Sequence, residues 1–114
     1  MSDKGKFVWM PHAGHFICGS RCQFKLNTYV GGYIVSTVGE LPDTFKEESG
    51  KFTTIGLDRL YETMVFKARK SNNKCCPYEQ TSGSEIDFAG YNKPEDAMVG
   101  HMKLCMKWAK KVRP

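Results

Sequence analysis

The chain has 114 residues, 40% hydrophobic and 25% charged, with 17 basic against 12 acidic side chains and a formal net charge of +5. That length supports one hydrophobic core and not two, and the composition excludes a globally disordered, collagen-like or membrane-embedded class. The positive excess favours acidic partners, whether nucleic acid or an acidic protein surface, as a bias and not as evidence of binding.

Residues 1–6 lack the apolar run of a signal peptide, and no apolar stretch approaches the roughly 20 residues that span a bilayer, so a cytosolic (cytoplasmic) protein with no membrane partner is expected. The five cysteines, an odd number including adjacent Cys75 and Cys76, make a poor disulfide framework and are expected as thiols. Residues 6–10 form a short apolar run stopped by Pro11, which predicts a strand and then a turn. From Cys22 to Val30 the alternation is clean. Cys22, Phe24, Leu26, Thr28 and Val30 point one way, while Gln23, Lys25, Asn27 and Tyr29 point the other. Gly31-Gly32 suits the left-handed dihedrals of a tight hairpin turn, and the β-branched run from Tyr33 to Val38 is expected to pair back on the preceding strand.

Residues 41–50 read as a polar loop. A second hairpin is predicted with Phe52 to Ile55 as one arm, 56–59 as the turn and Leu60 to Ala68 as the other arm. Both faces of that last arm carry apolar bulk, the pattern of a central strand. Residues 69–84 read as a long polar connector, after which Ile86, Phe88 and Tyr91 dock the chain onto the sheet. A helix over 92–112 is signalled by Asn92 as N-cap, Pro94 in the first turn and Glu95 closing a capping box. Its apolar arc holds Ala97, Met98, His101, Met102, Leu104, Cys105, Trp108, Ala109 and Val112, and its opposite arc holds Lys103, Lys107, Lys110 and Lys111. Gly100 weakens it by about 1 kcal/mol relative to Ala, which points to close packing or to tolerance. The expected fold is a single α+β domain: a small antiparallel sheet of about five strands, two hairpins among them, packed against one C-terminal amphipathic helix.

Four stretches, Phe7 to Gly19, Asn27 to Glu40, Leu60 to Ala68 and Gly100 to Cys105, resemble a family of short phage and prophage proteins to which no activity is attached. The segment 45–51 is shorter here than in similar sequences. The resemblance carries over no functional residue. It implies a mobile-element product, a class in which small proteins bind and redirect host machinery.

Three chemistries compete with plain packing. A zinc site could draw on His12, His15, Cys18 and Cys22, spaced His-x2-His-x2-Cys-x3-Cys, together with the i, i+4 pair His101 and Cys105. The bland reading is that His101 and Cys105 are core residues, because both lie in the apolar arc. Cysteine catalysis, with Cys22 or Cys105 as nucleophile and His15 or His101 as base, is opposed by the raised pKa of a thiol buried there. Nucleic-acid binding through the lysine arc, with Lys93, Arg113 and Tyr29 or Tyr33, lacks a recognisable base-reading motif. Trp9 and Trp108 are expected as core anchors. The leading expectation is therefore a non-enzymatic accessory protein, without cofactor, that binds a host macromolecule, a protein ahead of nucleic acid, with Lys103, Lys107, Lys110 and Lys111 in the contact. The alternative is a zinc-stabilised nucleic-acid-binding module.

Overall fold

A computed structural model describes residues 7–10, 22–42, 52–55, 59–72, 76–81 and 84–111. Two glycines set the first hairpin. Gly31 and Gly32 take φ of 49° and 102°, a region that L side chains avoid, and so reverse the chain in two residues between β2 (Phe24–Val30) and β3 (Tyr33–Gly39). The register runs from Val30 opposite Tyr33 to Phe24 opposite Gly39. Strand β1 (Phe7–Met10) adds to the outer edge of β2.

Two two-residue strands, β4 (Leu41–Pro42) and β5 (Phe52–Thr53), form a separate ribbon. This corrects the expected second hairpin. Phe52 pairs with Pro42, and among the described residues the expected hairpin is reduced to an Ile55–Arg59 bridge ahead of β6 (Tyr61–Lys70). The reason is that β6 is already paired on both sides. It lies between β3 and two successive neighbours, β7 (Tyr78–Gln80) beside its end and β8 (Asp87–Tyr91) beside its start. The main sheet thus follows the order β1-β2-β3-β6-β7, with β8 as a sixth strand on β6, and every described pairing in it is antiparallel. Strands β7 and β8 take up parts of the stretch expected as connector and docking segment. The central reading of β6 holds.

Helix α1 (Pro94–Ala109) lies across one sheet face, giving the α+β architecture of one small antiparallel sheet and one C-terminal helix. It begins two residues later than expected. Lys93 occupies the N-cap without a side-chain bond, because the Asn92 amide oxygen accepts the Leu60 N–H at 3.2 Å instead. Pro94 stands at the helix start, where a missing N–H costs nothing, and Glu95 and Asp96 favour the positive end of the helix dipole.

Each sheet face has its own core. Under α1, Val30, Val35 and Val65 have no exposed surface and pack with Tyr33, Cys105 and Ala109, while Phe7, Leu104 and Trp108 close the margin. Each buried valine contributes about 1.5–3 kcal/mol. On the far face Met10, Tyr29, Ile34, Ala68 and Tyr78 form a second cluster, with Tyr29 and Tyr78 stacked at 3.5 Å between ring centroids. Cys22, Val38 and Ile55 form a third. Among the described residues no helix is long and apolar enough to cross a membrane.

Candidate functional site: the two faces of the terminal helix

Strand alternation puts Thr28 of β2, Thr37 of β3 and Thr63 of β6 on the face that α1 covers. All three are fully buried, and they receive the helix's one polar core residue, His101. The Thr28 hydroxyl lies 2.9 Å from His101 Nε2 and the Thr37 hydroxyl 2.6 Å from Nδ1, so one ring nitrogen donates and the other accepts. Thr37 also bonds Thr63 at 2.6 Å. The seam continues at both ends, from Thr28 to the Cys105 thiol and from Thr63 to the Tyr91 hydroxyl. Every member thus has a hydrogen-bond partner, the condition under which a buried polar network fixes one arrangement of a core.

Burial drives the chemistry of this seam. It pushes the His101 imidazole down to about 4 and the Cys105 thiol up to about 12, the latter against the opposing hydrogen bond from Thr28. A thiol held that high is protonated at neutral pH and is no nucleophile. The expectation that His101 and Cys105 are packing residues holds, since both have zero exposure.

The rest of the inner helix face is small. Ala97, Gly100, Cys105 and Ala109 let the helix axis approach the sheet. Gly100 sits against the Tyr91 ring so closely that an added Cβ would overlap its hydroxyl end, so close packing is the reason for this glycine. Trp9 departs from expectation. It is 53% exposed, and its ring leans over His101 at 5.6 Å, a cover on the seam and not an anchor in a core. Trp108 is half-buried beside Tyr33, with ring centroids 4.8 Å apart. Its Nε1–H donates to Asp87 at 2.9 Å, and Lys107 donates to the same carboxylate oxygen at 2.8 Å. Burial works to raise the Asp87 carboxyl, but bonds from Lys107, Trp108 and the Phe88 N–H outweigh it and hold the group below its ordinary value.

The outer face of α1 is the larger correction. Met98 and Met102, expected in the core, are 54% and 39% exposed, and Val99 and Met106 are each 54% exposed. The methionines follow an i, i+4, i+8 spacing, so they form one stripe. Lys103, Lys107 and Lys110 run beside it, and together the two rows line a shallow groove of about 630 Å³. The fourth predicted lysine, Lys111, lies with Lys107 over the Trp108 ring, each ammonium 5.6 Å from its centroid.

The described zinc candidates, Cys22, His101 and Cys105, form no metal-binding group. His12, His15 and Cys18 lie outside the described residues, as does Arg113. Cys22 is buried and disulfide-bonded, contrary to the expected thiol, and both nitrogens of His101 are taken by threonines. Among the described residues no three His, Cys, Asp or Glu side chains are grouped to hold a metal ion. Cys76 carries a half-buried thiol packed against the second core cluster. Tyr29 and Tyr33, named as aromatics for base stacking, are buried at 3% and 9% exposure.

No family model matches the chain, and neither curated proteins nor solved structures show a match to it.

Two features escaped sequence reasoning. The Thr28–Thr37–Thr63 row is signalled only by Thr28's place among the inward residues of β2, and the outer stripe is hidden because the helical wheel assigns Met98 and Met102 to the core and leaves Val99 and Met106 on neither arc.

Proposed function

We propose that this protein is a non-enzymatic binding protein that captures a host protein on the outer face of α1. The resemblance to phage and prophage accessory proteins supports a place of action in the host cytosol. The observation that carries the reading is the exposure of Met98, Val99, Met102 and Met106 on one helix face beside a lysine row. Methionine is common at binding surfaces because its flexible thioether adapts to varied shapes. Exposed apolar side chains that are contiguous, as opposed to scattered singly, mark interaction sites.

Catalysis by the His101–Cys105 pair is disfavoured by the zero exposure and the displaced protonation of both groups. Nucleic-acid binding is disfavoured by the apolar stripe, which would face phosphates, and by the burial of Tyr29 and Tyr33.

The test compares the protein with Met106→Asp in capture from a bacterial lysate, followed by identification and purification of the captured protein. Titration of that purified partner is expected to show binding at least about tenfold weaker for Met106→Asp. The stability of the variant should stay within about 0.5 kcal/mol, because the side chain leaves no core. A purified partner that binds both proteins equally places the contact elsewhere.

A further inference from the structure

We infer that the occupant of the α1 groove is an acidic amphipathic helix of the partner, a reading that rests on α1 being the docking surface. The groove runs along a helix, and its apolar floor from Met98 to Met106 spans about two turns, or roughly 12 Å. A ligand that fills it must present an apolar stripe of similar length. A helix does so with residues at i, i+3, i+4 and i+7, while its flanks carry charges at the same period.

The charge on the flank is specified too. Lys103, Lys107 and Lys110 are the charged residues lining the groove, with the Lys107 ammonium already on Asp87, and none of its described lining is acidic. A second depression of about 550 Å³ shares Val99 and Lys103 with the first and extends it toward the helix start. There Arg59 and Lys93 add two cations, with Asp96 as the one acid in that lining. The combined surface is a row of cations beside an apolar floor, complementary to a helix with leucine-like side chains on one face and glutamates or aspartates beside them.

A parallel second copy fits less well, because the acids of α1 are confined to its first turn, Glu95 and Asp96, and two lysine rows would share one seam. An antiparallel copy would set those acids near the other copy's last-turn Lys107, and sedimentation separates that occupant from an acidic helix. An RNA or DNA strand would satisfy the lysines but leave the methionine floor against phosphate.

The probe is a synthetic peptide of about 18 residues with leucines at i, i+3, i+4 and i+7 and glutamates on the flanks. A control peptide carries lysine at every glutamate position. Fluorescence anisotropy with the full chain is expected to show the glutamate peptide binding at least about tenfold tighter than the control. That binding should weaken severalfold between about 50 and about 300 mM salt. It should also fall about tenfold in Met106→Asp and in Lys103→Glu/Lys110→Glu, two variants on the exposed face. Equal binding of both peptides removes the acidic requirement, and binding of neither removes the amphipathic helix. Either result overturns this inference while the purified lysate partner separately decides whether α1 docks a protein. Sedimentation showing a dimer lost in Met106→Asp would reassign the groove to a second copy. Tight binding of a 20-nucleotide strand that depends on the lysines but not on Met106 would reassign it to nucleic acid.

Discussion

His101→Ala is expected to lower unfolding free energy by about 3–5 kcal/mol, read as a fall in the denaturant midpoint at unchanged slope. The change removes a fully buried ring and leaves a cavity beneath Trp9. It also withdraws the partner of the Thr28 and Thr37 hydroxyls, which sit at zero exposure. Should that variant fail to fold, His101→Asn keeps polar atoms near the threonines and is expected to lose about half as much. The same residue makes stability depend on pH. Burial lowers the imidazole from 6.5 in the open chain to about 4 in the fold. Between those values the unfolded chain binds a proton that the folded chain refuses, so stability rises with pH there. The contribution is complete above pH 6.5 and is lost progressively as pH falls toward 4, by roughly 3 kcal/mol. Denaturant curves of the protein and of the Asn variant should therefore converge across that window. Parallel curves would show that His101 is protonated in the fold and that the seam is not closed to water.

Gly100→Ala is the second large effect, and its sign separates two accounts. Helix propensity alone predicts a gain of about 1 kcal/mol on replacing a mid-helix glycine with alanine. The structure predicts a net loss of about 2–3 kcal/mol, because the new methyl meets the Tyr91 ring, which is held by β8 and by its bond to Thr63. A double-mutant cycle isolates the contact. In a Tyr91→Ala background the ring is gone, and the same Gly100→Ala change should become neutral or stabilising. A stabilised single variant would mean that α1 sits farther from β8 than described.

Much of this fold is legible in the sequence because local chemistry and tertiary role agree there. Gly31-Gly32 can hardly be anything but a tight reversal, and the alternation from Cys22 to Val30 assigns Thr28 and Val30 to the covered face, where they are found. Pro94 and the acids after it mark the helix start to within two residues. What the sequence conceals is competition between partners. Phe52 to Ile55 has the residues of a hairpin arm, but the edges of β6 belong to β3, β7 and β8, pairings that local propensity does not reveal. Asn92 has the chemistry of a cap and spends it on Leu60.

On α1 the helical wheel places Ala97, His101, Cys105 and Ala109 on the covered face, where they are found, and misplaces Met98 and Met102. A helical wheel ranks methionine above histidine and glycine as core, since it scores hydrophobicity and not the surface that the helix meets. Here that surface is a row of threonine hydroxyls, which an imidazole satisfies and a thioether does not. Glycine and alanine bring the helix close, His101 bonds the row, and the long apolar side chains at 98, 102 and 106 are left outside. The predicted lysine face survives as a flank to that apolar stripe.

Peroxide oxidation of the native monomer, read methionine by methionine in a mass spectrometer, tests this arrangement most directly. Met98, Met102 and Met106 are predicted to oxidise at rates close to those of the unfolded chain, while Met10, at 7% exposure, is protected. Protection of Met98 and Met106 in the isolated monomer would contradict the account, because the face assigned to a partner would then already be covered.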